Sequence, residues 1–319
     1  MLELQWAEDL DDERTAAVRE LLTAARGVDG KPDAEPDGPL PGEFAGGRYL
    51  LATARDALVG VAHVDESGDA FGRWVAELVV HPGHRRSGYG TALAEALVAE
   101  YPRNLRVWAH GDRAGAATLA ERFGLLRSRE LLIMHVGTAG ADWPEPALPE
   151  GVTLRTFTPG ADEQAVVDVN ARAFHWHPEQ GELTVADLAA TEREDWFDAD
   201  GFFLAEKAGT VIGFHWTKVH PPNPAAPEPA SAAQSASEGG GPPGDAAGEV
   251  YVVGVDPDAQ GSGLGRALTL AGLRHLADRG LRRVILYVEG DNTPAVAVYR
   301  RLGFTPYEVD VQYATADAA

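Results

Sequence analysis

The sequence predicts an α/β protein built from two tandem units, and two repeated blocks carry that prediction. One glycine-rich turn occurs at residues 80–90 and again at 255–265, each time between an apolar β-type run and an Ala/Leu-rich helix. A later block, residues 109–124, is matched in the same order by residues 288–303. Two blocks matched in order indicate a repeated domain.

Each glycine-rich turn predicts an anion-binding site, because glycines let the backbone approach a ligand and a helix N-terminus offers free N–H groups to phosphate. A dinucleotide-binding turn fits poorly, since Leu93 and Leu268 stand where a third small residue is needed. A P-loop fits poorly too, because its Gly-Lys-Ser/Thr ending is absent. The turns resemble the acyl-CoA pyrophosphate loop, R/Q-x-x-G-x-G/A, of the GNAT superfamily of N-acetyltransferases.

This resemblance extends to the later block of the second unit. Its Asn292 and Ala295 match the Asn-x-x-Ala of the family, and Tyr299 precedes a Leu-Gly-Phe ending at Phe304. The resemblance implies two tandem GNAT-fold domains, each a mixed, mostly antiparallel sheet flanked by helices with a splayed central strand pair. It also implies acetyl-CoA as the acyl donor.

Apolar periodicity orders the elements within each unit. In the first unit, residues 1–136, the sequence predicts helices at 13–26, 90–100 and 115–123. It predicts strands at 49–54, 58–65, 74–80 and 105–109. A Pro- and Gly-rich linker is expected at 137–151. In the second unit, 152–319, the order recurs. Strands are predicted at 153–156, 202–207, 210–220, 249–255, 283–288 and 307–313, and helices at 162–173, 265–278 and 294–302.

One segment interrupts the second unit. Residues 221–248 are almost entirely Pro, Ala, Gly, Ser and acidic residues, with no apolar periodicity. Such a composition buries too little surface to offset the entropy of ordering, so we expect a disordered insertion between two strands. A functional lid is the alternative.

Composition restricts the class of protein. The 319 residues are 45% hydrophobic and 24% charged, enough for two cores, and no apolar run is long enough to cross a membrane. We expect a cytoplasmic monomer without a signal peptide. Cysteine is absent, which excludes disulfides, cysteine nucleophiles and thiolate metal sites. The net charge of -22 disfavours nucleic-acid and anionic-membrane partners.

Amide formation from a thioester needs a base, a donor to polarise the carbonyl and an acid for the leaving thiolate. In the second unit Glu249 is the expected base, acting directly or through water. Val253 offers its backbone N–H to the thioester oxygen if the strand bulges there. Tyr299 matches the family position of the general acid. The alternative roles are a strand-end charge for Glu249 and a packed helix residue for Tyr299.

The first unit lacks this catalytic pair. Aligned by the same offsets, it has Trp74 in place of Glu249, Ala120 in place of Tyr299 and Arg113 in place of Asn292. We therefore expect an inert or regulatory domain that keeps an acyl-CoA loop. Glu77, on the same strand, is a candidate for a displaced base, although a strand carboxylate that faces solvent is the commoner case.

The resemblance assigns cofactor contacts to the strand end, the turn, the helix start and the later block. In the second unit these residues are Val253, Gly254, Val255, Gln260, Gly261, Ser262, Gly263, Leu264, Gly265, Arg266, Asn292, Ala295, Val296 and Ala297. In the first unit they are Leu78, Val79, Val80, Arg85, Arg86, Ser87, Gly88, Tyr89 and Gly90.

A narrower resemblance is carried by residues 173–181, 213–220 and 248–257, which are similar to the mycothiol synthase family. That family acetylates the cysteinyl amine of a cysteinyl-glucosaminyl-inositol, the last step of mycothiol synthesis in actinobacteria. The resemblance implies substrate contacts from the second unit and one acidic contact from the first. These residues are Glu179, Lys218, Glu249 and Tyr287, with Glu35 from the first unit and Asp33 or Asp37 as its alternatives.

Three alternatives stay open at the level of sequence. The pair His175 and His177 suggests a metal, but no third ligand accompanies it and the reaction needs none, so we expect no metal site. A GNAT enzyme for another amine, such as a peptide N-terminus or an aminoglycoside, is the second alternative. A noncatalytic acyl-CoA sensor is the third.

Overall fold

The computed structural model describes residues 1–31, 34, 36–69, 71–177, 181, 183–222 and 245–317. Within these residues the chain forms two compact units, the first from 1–132 and 308–317 and the second from 133–222 and 245–307. The expected contacts Glu35, Asp33 and Glu179 lie outside the described residues, as does most of the insertion expected at 221–248.

The first unit is a sheet with helices on both faces. In chain order its elements are β1 (Leu2–Ala7), α1 (Asp12–Asp29), β2 (Arg48–Ala54), β3 (Ala57–Asp65), β4 (Trp74–Val80), α2 (Tyr89–Glu100), β5 (Leu105–Ala109), α3 (Ala114–Arg122) and the start of β6 (Leu126–Gly137). The strand order is β1-β2-β3-β4-β5, followed by the last strand of the chain. All these neighbours are antiparallel except β4 and β5.

The second unit repeats this plan. Its elements are β7 (Val152–Thr156), α4 (Glu163–Ala173), α5 (Val185–Thr191), β8 (Phe202–Lys207), β9 (Thr210–His220), β10 (Ala247–Val255), α6 (Leu264–Asp278), β11 (Arg283–Glu289), α7 (Thr293–Arg301) and the start of β12 (Thr305–Ala314). The end of β6 begins the strand order, which continues β11-β10-β9-β8-β7. Here β10 and β11 form the parallel pair.

The end of the chain belongs to the first unit, whereas the sequence division placed it in the second. Residues from Glu308 onward lie in the first unit, because β12 pairs with β5 through Val311 and Ala109 and through Tyr313 and Val107. The ladder hydrogen bonds that complete this sheet therefore come from a segment distant in sequence. Local patterning cannot reveal such a pairing.

The hydrophobic core of each unit forms where the apolar faces of its helices pack against the sheet. In the first unit α1 buries Leu21 and Leu22 on one face of the sheet, and α2 buries Leu93 on the other. In the second unit Leu188 of α5 packs with the aromatic core of β8 and β9, while Leu268 of α6 covers the opposite face. A fully buried Leu or Phe contributes about 1.5–3 kcal/mol. Both units therefore have the expected three-layer arrangement.

Most predicted elements are confirmed, and three observed elements escaped prediction. These are β1, β6 and the short helix α5. The strand β10 begins at Ala247, two residues before the expected start. None of the described helices combines the length and apolar character needed to cross a membrane.

Candidate active site

A splayed strand pair opens a cleft in the second unit. The parallel strands β10 and β11 pair only at Gly248, Glu249 and Val250. Beyond that point β10 continues with β9 as far as Val255, while its register with β11 has ended. The unpaired edge of β10 can therefore hydrogen-bond an extended ligand. This arrangement confirms the expected splayed central pair.

A bulge lies at the start of the splay. The register between β10 and β9 shifts between Val250 and Val252, which leaves Tyr251 as the extra residue. The expected role of Val253 depended on a bulge at that residue, but the bulge lies at Tyr251, and Val253 is in regular register with His215. The ring of Tyr251 is exposed at the cleft.

The glycine-rich turn leads from β10 into α6. Its Gly261 and Gly263 have φ of 75° and 88°, a region that glycine adopts without strain, and Gly263 is the helix N-cap. No side chain caps this helix, so its first N–H groups are available to a ligand. The Gln260 side chain donates a hydrogen bond to the Val255 carbonyl over 3.2 Å, which fixes the turn.

Two positions of this region hold glycine for different physical reasons. A Cβ on Gly254 would lie 2.5 Å from the Phe214 ring, so packing inside the protein requires this glycine. A Cβ on Gly265 would meet Val255 at 3.7 Å, an ordinary contact. The protein alone does not require glycine at 265. Close approach of a ligand backbone or phosphate does explain it.

Glu249 is a buried carboxylate beside the splay. Its side chain is 8% exposed, and its Oε2 lies 2.5 Å from Nε2 of His220, the last residue of β9. The register places Glu249 directly opposite Lys218. Burial, together with the charge of Glu249, raises the pKa of the Tyr251 phenol.

Tyr299 lies on α7, which starts at a capped end. The Asn292 side chain accepts a hydrogen bond from the Ala295 N–H over 3.3 Å and so fixes that end. The Tyr299 ring packs against Phe304 at 5.7 Å, and burial raises its pKa to about 12. Its hydroxyl forms no hydrogen bond within the described part of the chain. The phenol therefore stays protonated near neutral pH and is able to donate.

Lys218 is held by aromatic rings. Its Nζ lies 4.4 Å from the Trp196 ring centre and 5.3 Å from that of Tyr251, cation–π distances. No described carboxylate lies within salt-bridge distance of this ammonium. Lys218 can therefore donate hydrogen bonds to a substrate in the cleft. Sequence reasoning named Lys218 and missed both aromatic partners, whose only signal is their residue type.

The first unit has the same splay and the same turn. Pairing of β4 with β5 covers only Trp74, Val75 and Ala76. Gly88, with φ of 87°, is the N-cap of α2, and Arg85 Nε donates to the Val80 carbonyl over 3.1 Å, as Gln260 does in the second unit. A cavity of about 530 Å³ opens here between β4, the turn, α2, β5 and α3. This volume is typical of small-ligand sites.

The cations of this turn differ in their partners. The Arg85 guanidinium binds both carboxylate oxygens of Asp29, with Nη1 to Oδ1 at 3.0 Å. Arg113 lies 3.5 Å from the same carboxylate. Arg86, by contrast, is exposed with φ of 62°. Arg86 is thus better placed than Arg85 to meet an incoming phosphate.

The counterpart of Glu249 in the first unit is Val75, which corrects the alignment with Trp74. Val75 pairs with Arg106 of β5, as Glu249 pairs with Ile285 of β11 at the matching position. The difference of one residue arises because β4 pairs with β3 without a register shift, whereas β10 carries the bulge. A fixed sequence offset cannot follow an inserted residue. Valine has no proton to exchange, so the absence of a base at this position stands.

Glu77 is buried, 6% exposed, in a cluster of charged side chains beside the cavity, so the expectation of a solvent-facing carboxylate is wrong. His110 lies between two carboxylates, with Nε2 3.2 Å from Glu77 and Nδ1 2.9 Å from Asp310. Lys31 adds a contact of 2.8 Å to Asp310. Although desolvation opposes it, the two carboxylates raise the pKa of His110 to about 10, and His110 and Lys31 lower that of Asp310 to about 2. Glu77 is therefore neutralised by an imidazolium.

Comparison with known proteins agrees with these features. Residues 15–125 and 170–304 match the model of the acetyltransferase (GNAT) family. The chain belongs to this family. It is an acyl-CoA-dependent N-acetyltransferase with two tandem GNAT domains.

Similar curated proteins sharpen this placement. The chain is 62% identical over 314 residues to the mycothiol acetyltransferase of Saccharomonospora viridis, covering 97% of each chain. It is 59% identical over 309 residues to that of Amycolatopsis mediterranei, covering 97% of this chain and 98% of the relative. Within the GNAT family the chain therefore groups with proteins named mycothiol acetyltransferase.

Solved structures show the same fold. A GCN5-related N-acetyltransferase from Sphaerobacter thermophilus has a TM-score of 0.65 at 23% identity and covers 97% of this chain and 94% of its own. A tandem GNAT protein of the clavulanic acid biosynthesis pathway has a TM-score of 0.63 at 21% identity and covers all of both chains. At such identities the likeness concerns the fold alone.

GNAT acetyltransferases take their acyl group from acetyl-CoA, and both turns of this chain fit a pyrophosphate. Each offers an uncapped helix N-terminus behind a left-handed glycine. Exposed Arg266 in the second unit and Arg86 in the first add positive charge beside it. Among the described residues no group of three or more His, Asp or Glu side chains is arranged to hold a metal ion.

Proposed function

We propose that this GNAT acetyltransferase transfers the acetyl group of acetyl-CoA to the cysteinyl amine of 1-D-myo-inositol 2-(L-cysteinylamino)-2-deoxy-glucopyranoside, and that the second unit does so. The observation that carries the proposal is the buried carboxylate of Glu249 at the mouth of the splay. The name mycothiol acetyltransferase, carried by similar curated relatives, supports the acceptor.

The reaction forms an N–C bond and breaks the C–S bond of the thioester. The acceptor ammonium loses two protons overall, of which one ends on the CoA sulfur and the other in solvent. Glu249 accepts a proton from the amine, directly or through water. Tyr299 donates a proton to the departing thiolate, which its raised pKa permits because the phenol remains protonated. The Val253 N–H polarises the thioester oxygen from the part of β10 that β11 leaves unpaired, in this proposal without a bulge at Val253 itself.

The second turn holds acetyl-CoA in this proposal. The N–H groups of the turn and of the start of α6 bind the pyrophosphate, with Arg266 beside them. The edge of β10 from Val253 to Val255 pairs with the extended pantetheine arm. The side chains of Leu264 and Val296 are buried, so these residues contribute backbone groups.

Acceptor binding follows from the polar and aromatic groups on the other side of the splay. The acceptor carries an amide and many hydroxyls, and Lys218 offers donors to them from its aromatic support. Tyr287 is the first residue of β11 beyond the paired region, and its ring is exposed. Glu179 and Glu35 remain proposed contacts on the strength of the sequence.

For the first unit we propose acyl-CoA binding without chemistry. Its cavity is walled by Leu78, Val79, Val80, Gly88 and Gly90 and by Ala120, which stands where Tyr299 stands in the second unit. The missing tyrosine ring leaves this space open. With Val75 at the base position, Ala120 in place of the tyrosine and Glu77 bound to the His110 imidazolium, none of the described residues of this cleft is proposed as a base.

Steady-state acetylation tests the proposal. Purified protein is incubated with acetyl-CoA and the cysteinyl-glucosaminyl-inositol, and the N-acetyl product is followed by mass spectrometry, because the acceptor thiol interferes with thiol reagents. We expect saturable formation of one amide per CoA released. A panel of peptide and aminoglycoside amines serves as the control. Turnover of one of these in place of the inositol would overturn the acceptor, and binding of acetyl-CoA without any turnover would favour the sensor.

A further inference from the structure

The proton that Glu249 accepts must leave a buried position. The Glu249 side chain is 8% exposed, whereas that of His220 is 36% exposed. Nε2 of His220 lies 2.5 Å from Glu249 Oε2, so the imidazole touches the carboxylate on one side and reaches solvent on the other. A proton on Glu249 thus has a titratable neighbour with access to water.

Backbone pairing builds this contact. Glu249 is opposite Lys218 in the antiparallel register of β9 and β10, and His220 is opposite Ala247. Residues two apart on a strand point to the same face, so Lys218 and His220 both face the side of Glu249. His220 reaches the carboxylate diagonally, a distance that long side chains span in antiparallel pairs.

Among the described residues, the other ionisable side chains near Glu249 do not bind its carboxylate, whereas His220 does. Lys218 on β9 turns its ammonium to the rings of Trp196 and Tyr251, away from salt-bridge distance of any described carboxylate. Tyr251 on β10 senses the charge of Glu249, and its pKa is raised, so it is a neutral phenol near neutral pH. Imidazole is the group that can both bind and release a proton there.

We propose that His220 is a positioning and proton-relay residue for Glu249. It orients the carboxylate through the Nε2 contact and carries the amine proton from Glu249 to solvent. The inference rests on the proposed role of Glu249 as the base. No part of it depends on the identity of the acceptor amine.

Each turnover moves one proton along this path. Glu249 takes a proton from the amine and becomes a neutral acid. When His220 carries its proton on Nδ1, Nε2 accepts that proton from Oε2, which forms an imidazolium and restores the Glu249 carboxylate. The imidazolium then loses its Nδ1 proton to water and keeps the Nε2–H that orients the carboxylate. Rotation of the ring and proton exchange with water return the Nδ1–H tautomer before the next turnover. No oxidant, reductant or further co-reactant takes part.

Two substitutions separate positioning from relay. His220→Gln keeps an N–H donor near the place of Nε2 and cannot carry a proton. His220→Ala removes both and leaves space for imidazole from solution. We expect each variant to lower kcat about 10-fold, less than the roughly 10²–10⁴-fold effect of a direct general acid or base because His220 acts through Glu249, with KM for both substrates changed by less than about twofold. Added imidazole restores kcat of His220→Ala in a saturable manner and leaves His220→Gln unchanged.

The matched control is His275→Gln, which alters another His–carboxylate pair of the same unit, with Asp198 at 3.3 Å. This variant keeps wild-type kcat. Blanks without enzyme correct for the direct reaction of imidazole with acetyl-CoA, and thermal midpoints show that each variant is folded.

The outcomes are distinct. Wild-type kcat in His220→Gln, with loss only in His220→Ala, would reduce His220 to a hydrogen-bond donor and overturn the relay. Wild-type kcat in both variants would overturn the whole inference. A wild-type enzyme that acetylates no amine would instead overturn the proposed function, and it is recognised before any variant is made.

Discussion

The two units share a binding scaffold and differ in the groups that could perform chemistry. Both have a parallel strand pair that separates after three residue pairs, and both have a left-handed glycine at an uncapped helix start. The second unit adds the bulge at Tyr251 and a tyrosine where the first has Ala120. Both copies keep the backbone features expected to bind an anion, while the side chains proposed as base and acid occur once.

The histidines near each splay make the same contrast. In the first unit His110 is held between Glu77 and Asp310, so both ring nitrogens are engaged by carboxylates. In the second, Glu249 is the described carboxylate that His220 contacts, and the exposed fractions of the two imidazoles are close, 32% for His110 and 36% for His220. Two carboxylates raise the pKa of His110 to about 10 and hold it as an imidazolium, whereas an imidazole with one carboxylate keeps a ring nitrogen for proton exchange.

The largest expected effect comes from replacing the buried strand carboxylate of the second unit with an amide, and the same change in the first unit is its control. Glu249→Gln should lower kcat roughly 10³-fold, because general base catalysis contributes about 10²–10⁴-fold. The matched Glu77→Gln should leave kcat within about twofold, since the first unit has Ala120 in place of Tyr299 and no chemistry is proposed there. Steady-state acetylation checks both variants. A comparable loss in Glu77→Gln would show that the first unit takes part in the reaction.

Blocking each turn separates the two acyl-CoA sites. A Cβ at Gly265 meets only Val255 at 3.7 Å, and one at Gly90 meets Leu119 and Val80 at 3.5 Å, so both positions accommodate a side chain. We expect titration calorimetry to give two acetyl-CoA per wild-type chain and one for either Gly265→Val or Gly90→Val. Turnover should fall about 100-fold in Gly265→Val alone. A stoichiometry of one for the wild type would remove the first site.

Removing a single phenol tests the acid. Tyr299→Phe should lower kcat roughly 30-fold with little change in KM, because only proton donation to the thiolate is lost. The control is Tyr313→Phe, since Tyr313 lines the cavity of the first unit. This variant should retain wild-type kcat. If both variants behave like the wild type, the thiolate takes its proton from solvent.

The free energy of unfolding should depend on pH in opposite directions for one histidine of each unit. Burial lowers the pKa of His215 in the second unit to about 4 from 6.5, so the unfolded chain binds the extra proton between these values. The native state then loses stability as pH falls through this window, up to about 3 kcal/mol from this group. His215→Asn keeps a donor for the Leu268 carbonyl and should flatten this decline.

The contribution of His110, in the first unit, to stability changes with pH in the opposite direction. Its pKa is raised from 6.5 to about 10, so its contribution is complete below pH 6.5 and is lost as pH rises through 10. His110→Asn should remove that alkaline decline and leave the acid one unchanged. Urea unfolding of wild type and both variants at pH 5, 7.5 and 9.5 measures these differences. Parallel pH curves for all three proteins would contradict both assignments.

Much of the fold was predictable because local pattern decides local structure. The Ala/Leu periodicity after each glycine turn predicted α2 and α6, and the apolar runs before them predicted β4 and β10. The strand β6 was missed because its residues do not alternate cleanly, whereas β1 was missed although apolar and polar residues alternate from Leu2 to Trp6. Their partners, which lie elsewhere in the chain, make them strands.

The candidate site was predictable where a motif names a residue. Glu249 was expected as the base, and the structure finds it buried at the splay. His220, Trp196 and Tyr251 were missed, because each matters only through the residue that it touches. The alignment of Trp74 with Glu249 failed for the same reason, since a bulge is a property of strand pairing.

The sequence by itself determined the tandem repeat, the positions of both glycine turns and the presence of a carboxylate and a tyrosine in only one of the two copies. These are properties of residue type and spacing, which the chain carries before it folds. Tertiary structure decided that both strand carboxylates are buried beside a histidine, that the first of these histidines also binds Asp310, and that the strand from Glu308 completes the first sheet. Such features depend on register and burial, which arise only when segments distant in sequence pack together.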